Sequence, residues 1–206
     1  MHLYEVIRTL TGHKDAAACV QFHPFGDFFA SGSADCSVKL WDVRRKGCIQ
    51  IYSGHKDTVK QLEITPDGRW IASAGLDCVV KIWDMTAGKL LHTIVPDSLS
   101  FTPVSSLAFS PSEFIVSVAS TDSTIRSYFL EDFKCIAETR ASHVPAKVAF
   151  DAEGSFLISA SSSSLDVQRF TFRLLFILSN LFNIQVFRLR VSQEPPFNFL
   201  WMVQCR

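Results

Sequence analysis

The sequence predicts an all-β chain of about four repeated, four-stranded units of the β-propeller kind, arranged as an open or partial propeller. Three observations carry that expectation. The tetrapeptide GHKD stands at 12–15 and again at 54–57, and a WD pair follows each copy, at 41–42 and 83–84, so both words recur with one offset of 42 residues. Laying 9–50 over 51–92 without a gap gives 14 identities in 42 columns. Within each copy, short runs of strand character such as CVQFH, FFASG and SVKLWDV are separated by the turn-forming HPFGD, SAD and RRKG. A catalytic motif needs writing once, whereas a building block is written once per block.

The elements follow in order. LYEVIRTLTGH at the start reads as the outer strand that would end an earlier blade, and the two well-written blades come next. VSSLAFSPSEFIVSVASTDSTIRSYFL (104–130) keeps the strand–Pro–strand–Asp–strand order, with Tyr128 and Phe129 where Trp and Asp belong. AKVAFDAEGSFLISASSSSLDVQRF (146–170) keeps the strand order and the turn residue Gly154, with Ser163 at the place of the recurring Asp. Residues 1–170 thus form the repeat array. The tail, 171–206, is a different text: it has no Gly, its one acid is Glu194, and residues 170–206 hold seven of the 18 phenylalanines. It is expected to stand outside the array. Arg173, Asn180, Asn183 and Arg188 interrupt its apolar run, so membrane association is not expected.

Composition narrows the function classes. Lys plus Arg equals Asp plus Glu at 20 each, so no net field draws the chain to nucleic acid or an anionic membrane. The six cysteines form no C-x-x-C pair, which fits buried thiols in a reducing compartment. The N-terminus lacks a long apolar stretch of the secretory kind, and a cytoplasmic chain is expected.

The recurring polar residues have a structural task. Strands alternate in direction, so the loop holding His13 and the turn holding Asp35 share one end of the blade. His13 can then bond Asp35 on one side and Ser31 on the other, with Ser31 meeting the indole of Trp41. His55, Ser73, Asp77 and Trp83 repeat the set, a closed network that satisfies buried polar groups. In the third blade Ser100 and Val118 take the His and Ser places, leaving Asp122. A hydrolase reading of these His, Asp and Ser residues is opposed by their tandem duplication and by the lack of a G-x-S-x-G elbow. His13, Cys19 and His23 are close in sequence but not expected to converge on a metal, and His23, just before Pro24, is expected to face solvent. Neither G-x-x-x-x-G-K-[ST] nor G-x-G-x-x-G occurs, so no cofactor is expected.

FHPFGDFFASGSADCSVKLWDVRRKGCI (22–49) and TPDGRWIASAGLDCVVKIWDMTAGKLLH (65–92) resemble the WD40-bearing regulatory subunit of katanin, the microtubule-severing complex, most tellingly in LWDVRRKGC at 40–48. SPSEFIVSVAS (110–120) and SSLDVQRF (163–170) are similar to the blades that follow in that family. The resemblance spans about residues 5–170 and implies a non-catalytic WD40 scaffold at centrosomes or spindle poles. Its implied partners are a AAA ATPase severing subunit, tubulin or microtubules, and spindle-pole proteins. The family's ATPase-binding helical region has no counterpart in this sequence, so direct ATPase binding is not expected. Another WD40 scaffold, a centriolar component or a ubiquitin-ligase substrate receptor, is the rival reading.

Two sets of exposed residues are candidate partner contacts. Arg44, Arg45 and Lys46 lie in a loop at the end opposite the His–Asp network and could meet an acidic surface such as tubulin tails. Lys14, Asp15, Lys56 and Asp57 line the network end, with Ala34 and Leu76. The four blades are expected to form an arc, with residues 3–10 far from 165–170.

Overall fold

A computed structural model of the chain describes residues 9–45, 47–96, 102–162 and 164–169. These form antiparallel sheets, and no helix occurs among the described residues. The first sheet holds β1 (Ala17–Phe22), β2 (Phe28–Ser33), β3 (Ser37–Asp42) and β4 (Cys48–Ser53) in that spatial order. The second holds β5 (Val59–Ile64), β6 (Trp70–Gly75), β7 (Val80–Asp84) and β8 (Lys89–Ile94). The third holds β9 (Val104–Phe109), β10 (Ile115–Ser120), β11 (Thr124–Phe129) and β12 (Cys135–Arg140). The fourth holds β13 (Lys147–Phe150), β14 (Phe156–Ala160) and β15 (Leu165–Arg169).

Each sheet is a blade, and register shows how alike they are. The first strand of the first three blades carries a shift near its start, at Ala17/Cys19, at Val59/Gln61 and opposite Ala119/Ser120. The third strand carries another at the aromatic position, at Leu40/Trp41, Ile82/Trp83 and Ser127/Tyr128. Such bulges sharpen the local twist and re-aim a side chain. The turn between second and third strands puts Cys36, Cys78 and Ser123 at φ values of 63, 63 and 65 degrees, the left-handed region.

Three cores join the blades in chain order. Ala30, Val38, Leu40 and Tyr52 of the first blade pack on Val59, Leu62, Ile64 and Ile71 of the second. Ala72, Val80 and Ile82 of the second meet Leu107, Phe109 and Val116 of the third. Ala108, Ala119 and Ile125 of the third meet Val148 and Leu157 of the fourth. The second and third blades therefore each have a near face, turned to the preceding blade, and a far face, turned to the following one. Strand alternation supplies both, since successive side chains point to opposite sides. Fully burying one such aliphatic side chain is worth about 1.5–3 kcal/mol. Backbone fit matters too: a Cβ on Gly32 would lie 2.6 Å from Val59 Cγ1 and 2.7 Å from Cys19 Sγ, so the first and second blades approach through the space a glycine leaves.

The fourth blade departs from the expected pattern. Gly32 pairs with Val38, but the corresponding Ala160 pairs with Leu165, so this turn is one residue shorter than its counterpart. Ser163 and Ser100 lie outside the described residues, as does the tail, 171–206. The expected distance between 3–10 and 165–170 falls partly on residues 3–8 and 170, also outside them.

Candidate functional site

The loops and turns at the two ends of the blades carry the polar chemistry. At the first end, Nδ1 of His13 stands 2.9 Å from Asp35 Oδ2 and Nε2 stands 2.7 Å from Ser31 Oγ. The Trp41 indole donates to Ser31 Oγ over 2.8 Å. With a neutral imidazole the directions run from the Trp41 N–H to Ser31, from the Ser31 O–H to Nε2 and from Nδ1–H to the carboxylate, which puts the ring proton on Nδ1. The second blade repeats the set. His55 Nδ1 is 2.9 Å from Asp77 Oδ2, Nε2 is 2.7 Å from Ser73 Oγ, and Trp83 donates to Ser73 over 2.7 Å.

The carboxylates also hold the loops. Asp35 accepts from the Lys14 backbone N–H at 2.9 Å and from the Ser37 N–H and hydroxyl at 3.0 and 2.6 Å, while Asp77 accepts from the Lys56 N–H at 2.9 Å. Burial works to raise the Asp35 carboxyl, but the hydroxyl of Ser37, the N–H of Lys14 and the ring of His13 outweigh it and hold it well below the ordinary carboxylate range. Burial lowers His55 against the pull of Asp77, which favours the neutral ring. In the third blade Asp122 retains only the local part of this role, accepting from the Thr124 N–H at 2.9 Å and from its hydroxyl at 2.5 Å.

A further set escaped the sequence reading. His143 stands four residues before β13, as His13 stands four before β1. Its Nδ1 lies 2.9 Å from Ser164 Oγ and 3.0 Å from Ser142 Oγ. Asp166 accepts from Ser142 through N–H and hydroxyl at 2.9 and 2.6 Å, and those two bonds hold its carboxyl below the usual range. By strand pairing Asp166 stands in the column of Lys39, which in the first blade reaches Gly12 O, so here an acid on the third strand holds the loop beside the histidine. The signal available was the four-residue spacing of His143 from its strand.

On the surface of this end stand Lys14, Asp15, Lys56 and Asp57, all exposed, with Leu76 exposed and Ala34 half-buried. Asp15 and Asp57 accept from the N–H of the next residue, at 2.7 and 2.6 Å, so all four side chains leave from pinned backbone.

At the opposite end, Arg44 pairs with Asp27 at 2.6 Å and Arg45 approaches Asp42 at 3.6 Å. Lys46 lies outside the described residues. The Asp of each WD pair caps this loop: Asp42 accepts from the N–H of Arg44 and Arg45, and Asp84 from those of Thr86 and Ala87. His23 corrects the expectation of a solvated ring. Its Nε2–H donates to Gly68 O at 3.0 Å and its Nδ1 accepts from Phe25 N–H at 3.1 Å, which ties the turns of adjacent blades together. Gly68, at φ 72 degrees, admits the ring because a Cβ there would lie 2.3 Å from Nε2.

Comparison with known proteins agrees with this architecture. The family described as WD domain, G-beta repeat matches residues 4–42, 46–84 and 88–128, more than half of the chain. Each match ends on the aromatic–acid position or its equivalent, so the family's repeat runs from one blade's outer strand into the next blade. Among curated relatives, the nuclear distribution protein nudF of Emericella nidulans is 59% identical over 34 residues, 16% of this chain and 8% of that protein. Striatin-4 of Homo sapiens is 41% identical over 44 residues, 21% of this chain and 6% of that protein. The ribosome biogenesis protein bop1-A of Xenopus laevis is 44% identical over 39 residues, 19% of this chain and 5% of that protein. The chain thus spans less than a tenth of the length of each of these relatives. The repeated blades, the duplicated His–Ser–Asp–Trp networks and the family match lead to one assignment: the chain belongs to the WD domain, G-beta repeat family.

Proposed function

We propose that the chain is a non-catalytic scaffold that holds protein partners on the loops at its blade ends. The observation that carries this reading is the closure of the two networks. Both nitrogens of His13 and of His55 are bonded, both serines are bonded on two sides, and the acids are spent on loop N–H groups. A nucleophilic serine must be open to a substrate, whereas Ser31 and Ser73 are buried and each holds a tryptophan indole N–H. What projects outward instead is a set of mixed charges on fixed backbone. Within this role we assign the chain to the task of the katanin regulatory subunit, in the cytoplasm at the cytoskeleton and spindle pole. Tubulin or microtubules and spindle-pole proteins are its direct partners, and the severing AAA ATPase belongs to the same complex without being bound by this chain directly. Support comes from LWDVRRKGC and from the exposed Arg44 and Arg45 that it places in one loop.

Cosedimentation with assembled microtubules tests this. The chain is expected to pellet with them, and the double variant Arg44→Glu, Arg45→Glu is expected to remain in the supernatant. The purified chain hydrolyses no ATP on this reading. A second reading, a WD40 scaffold of a different complex such as a centriolar component or a ubiquitin-ligase receptor, is kept because the 59% match over 34 residues is to a protein outside katanin. Mass spectrometry of proteins captured by the chain separates the two: ligase or centriolar subunits without tubulin would replace the first reading by the second.

A further inference from the structure

The blade-to-blade contact occurs three times within the chain, and its columns can be matched by strand pairing. Near-face positions Leu62, Ile64 and Ile71 of the second blade correspond to Leu107, Phe109 and Val116 of the third. All six are buried. The same columns in the first blade hold Val20, Phe22 and Phe29, and there Val20 is 58% and Phe22 is 65% exposed. Far-face positions Ala30, Val38 and Leu40 of the first blade correspond to Ala72, Val80 and Ile82 of the second, again all buried. In the fourth blade those columns hold Ile158, Leu165 and Val167, with Leu165 71% and Val167 65% exposed. The described blades therefore present both halves of their own repeated interface, one on the first and one on the fourth.

The two halves suit each other in chemistry. Phe22 and Phe29 lie 5.6 Å apart between ring centroids, and Phe29 stacks on Trp41 at 6.3 Å, an aromatic ladder across three strands. Beside it an open cleft is lined by Leu10, Ala17, Val20, Phe29 and Trp41. Inside the chain, the near-face columns that correspond to Val20, Phe22 and Phe29 receive aliphatic side chains of the far-face kind, and Ile158, Leu165 and Val167 supply that kind. Isolated apolar residues on a surface need no explanation, but a contiguous face does.

We propose that two copies of this chain associate head to tail, the far face of the fourth blade of one seating on the near face of the first blade of the other. The contact repeats, column for column, the one that joins neighbouring blades within the chain. It is heterologous, and applied twice about a twofold axis it closes the pair.

Analytical ultracentrifugation of the full chain across micromolar concentrations tests the proposal. A dimer mass is expected. Val20→Asp and Leu165→Asp, both at exposed positions, should each raise the dimer dissociation constant at least tenfold and leave the circular dichroism and the urea midpoint unchanged. Mixing the two variants is the decisive arm. Val20→Asp keeps an intact fourth-blade face and Leu165→Asp an intact first-blade face, so the mixture should regain one contact and form a heterodimer. Association of Leu165→Asp alone to the wild-type extent would mean a first-blade to first-blade contact and overturn the proposal. A monomer at every concentration would overturn it equally, whether residues 171–206 or a different protein serve these faces.

Discussion

The second and third blades are both interior and equally well buried on their near faces, yet they are held together differently. The second blade threads a hydrogen-bonded chain from Trp83 through Ser73 and His55 to Asp77. In the third, Val118 takes the serine place and Tyr128 the tryptophan place, both buried, and the Ser117 and Ser127 hydroxyls meet at 2.7 Å on the other face. The aromatic-position bulge survives in both. Blade geometry therefore follows from the apolar columns and the ladder. What the network adds is the fixing of a loop, through the Lys56 N–H on Asp77. Asp122 persists without its partners because its bonds to Thr124 close the local turn and need no distant residue.

The comparison yields an ordered set of tests. Truncating a shared column should hurt most: Leu107→Ala removes a buried side chain between the second and third blades and should cost about 2–5 kcal/mol in urea unfolding. His55→Ala should cost less, about 1–3 kcal/mol, by removing the ring that bonds both Asp77 and Ser73. An effect of His55→Ala larger than that of Leu107→Ala would reverse the ranking of ladder over network.

Acid should act on the second blade in the same sense. Burial holds the folded His55 below its ordinary value of 6.5, so between those two values the unfolded chain binds more protons and stability rises with pH. The urea midpoint is thus expected to fall as pH drops below 6.5. In His55→Gln that part of the slope should vanish; an unchanged slope would place its origin elsewhere. The smallest effect belongs to the turn. Cys78 sits at φ 63 degrees, and Cys78→Gly should raise stability by up to about 1 kcal/mol by relieving a left-handed conformation. A loss of stability there would mean that the thiol contact to Leu76 O outweighs the strain.

The repeat made most of the blade order legible, because an unbroken offset carries strand, turn and polar positions together. His13 and Asp35 could be matched since each lies at a fixed distance from a recognisable WD pair. Where the offset breaks, so does legibility. In the fourth blade the turn is one residue shorter and the loop is held by Asp166 in the column of Lys39, and with Tyr and Trp both missing there was no aromatic anchor to correct the count. His23 was opaque for another reason. Its acceptor, Gly68 O, belongs to the next blade and exists only once two blades are packed.

Packing in chain order also has a mechanical consequence. Each described blade leans on its sequence neighbours, so its stability is a sum of its own ladder and of nearest-neighbour contacts, as in a linear array. Tension applied to the two ends of the array would then meet the blades one at a time. In a single copy the first and fourth described blades share one core each and the second and third share two, so extension should peel the first or fourth before the second or third. A force trace would resolve this as separate steps, each releasing roughly one 42-residue period of chain.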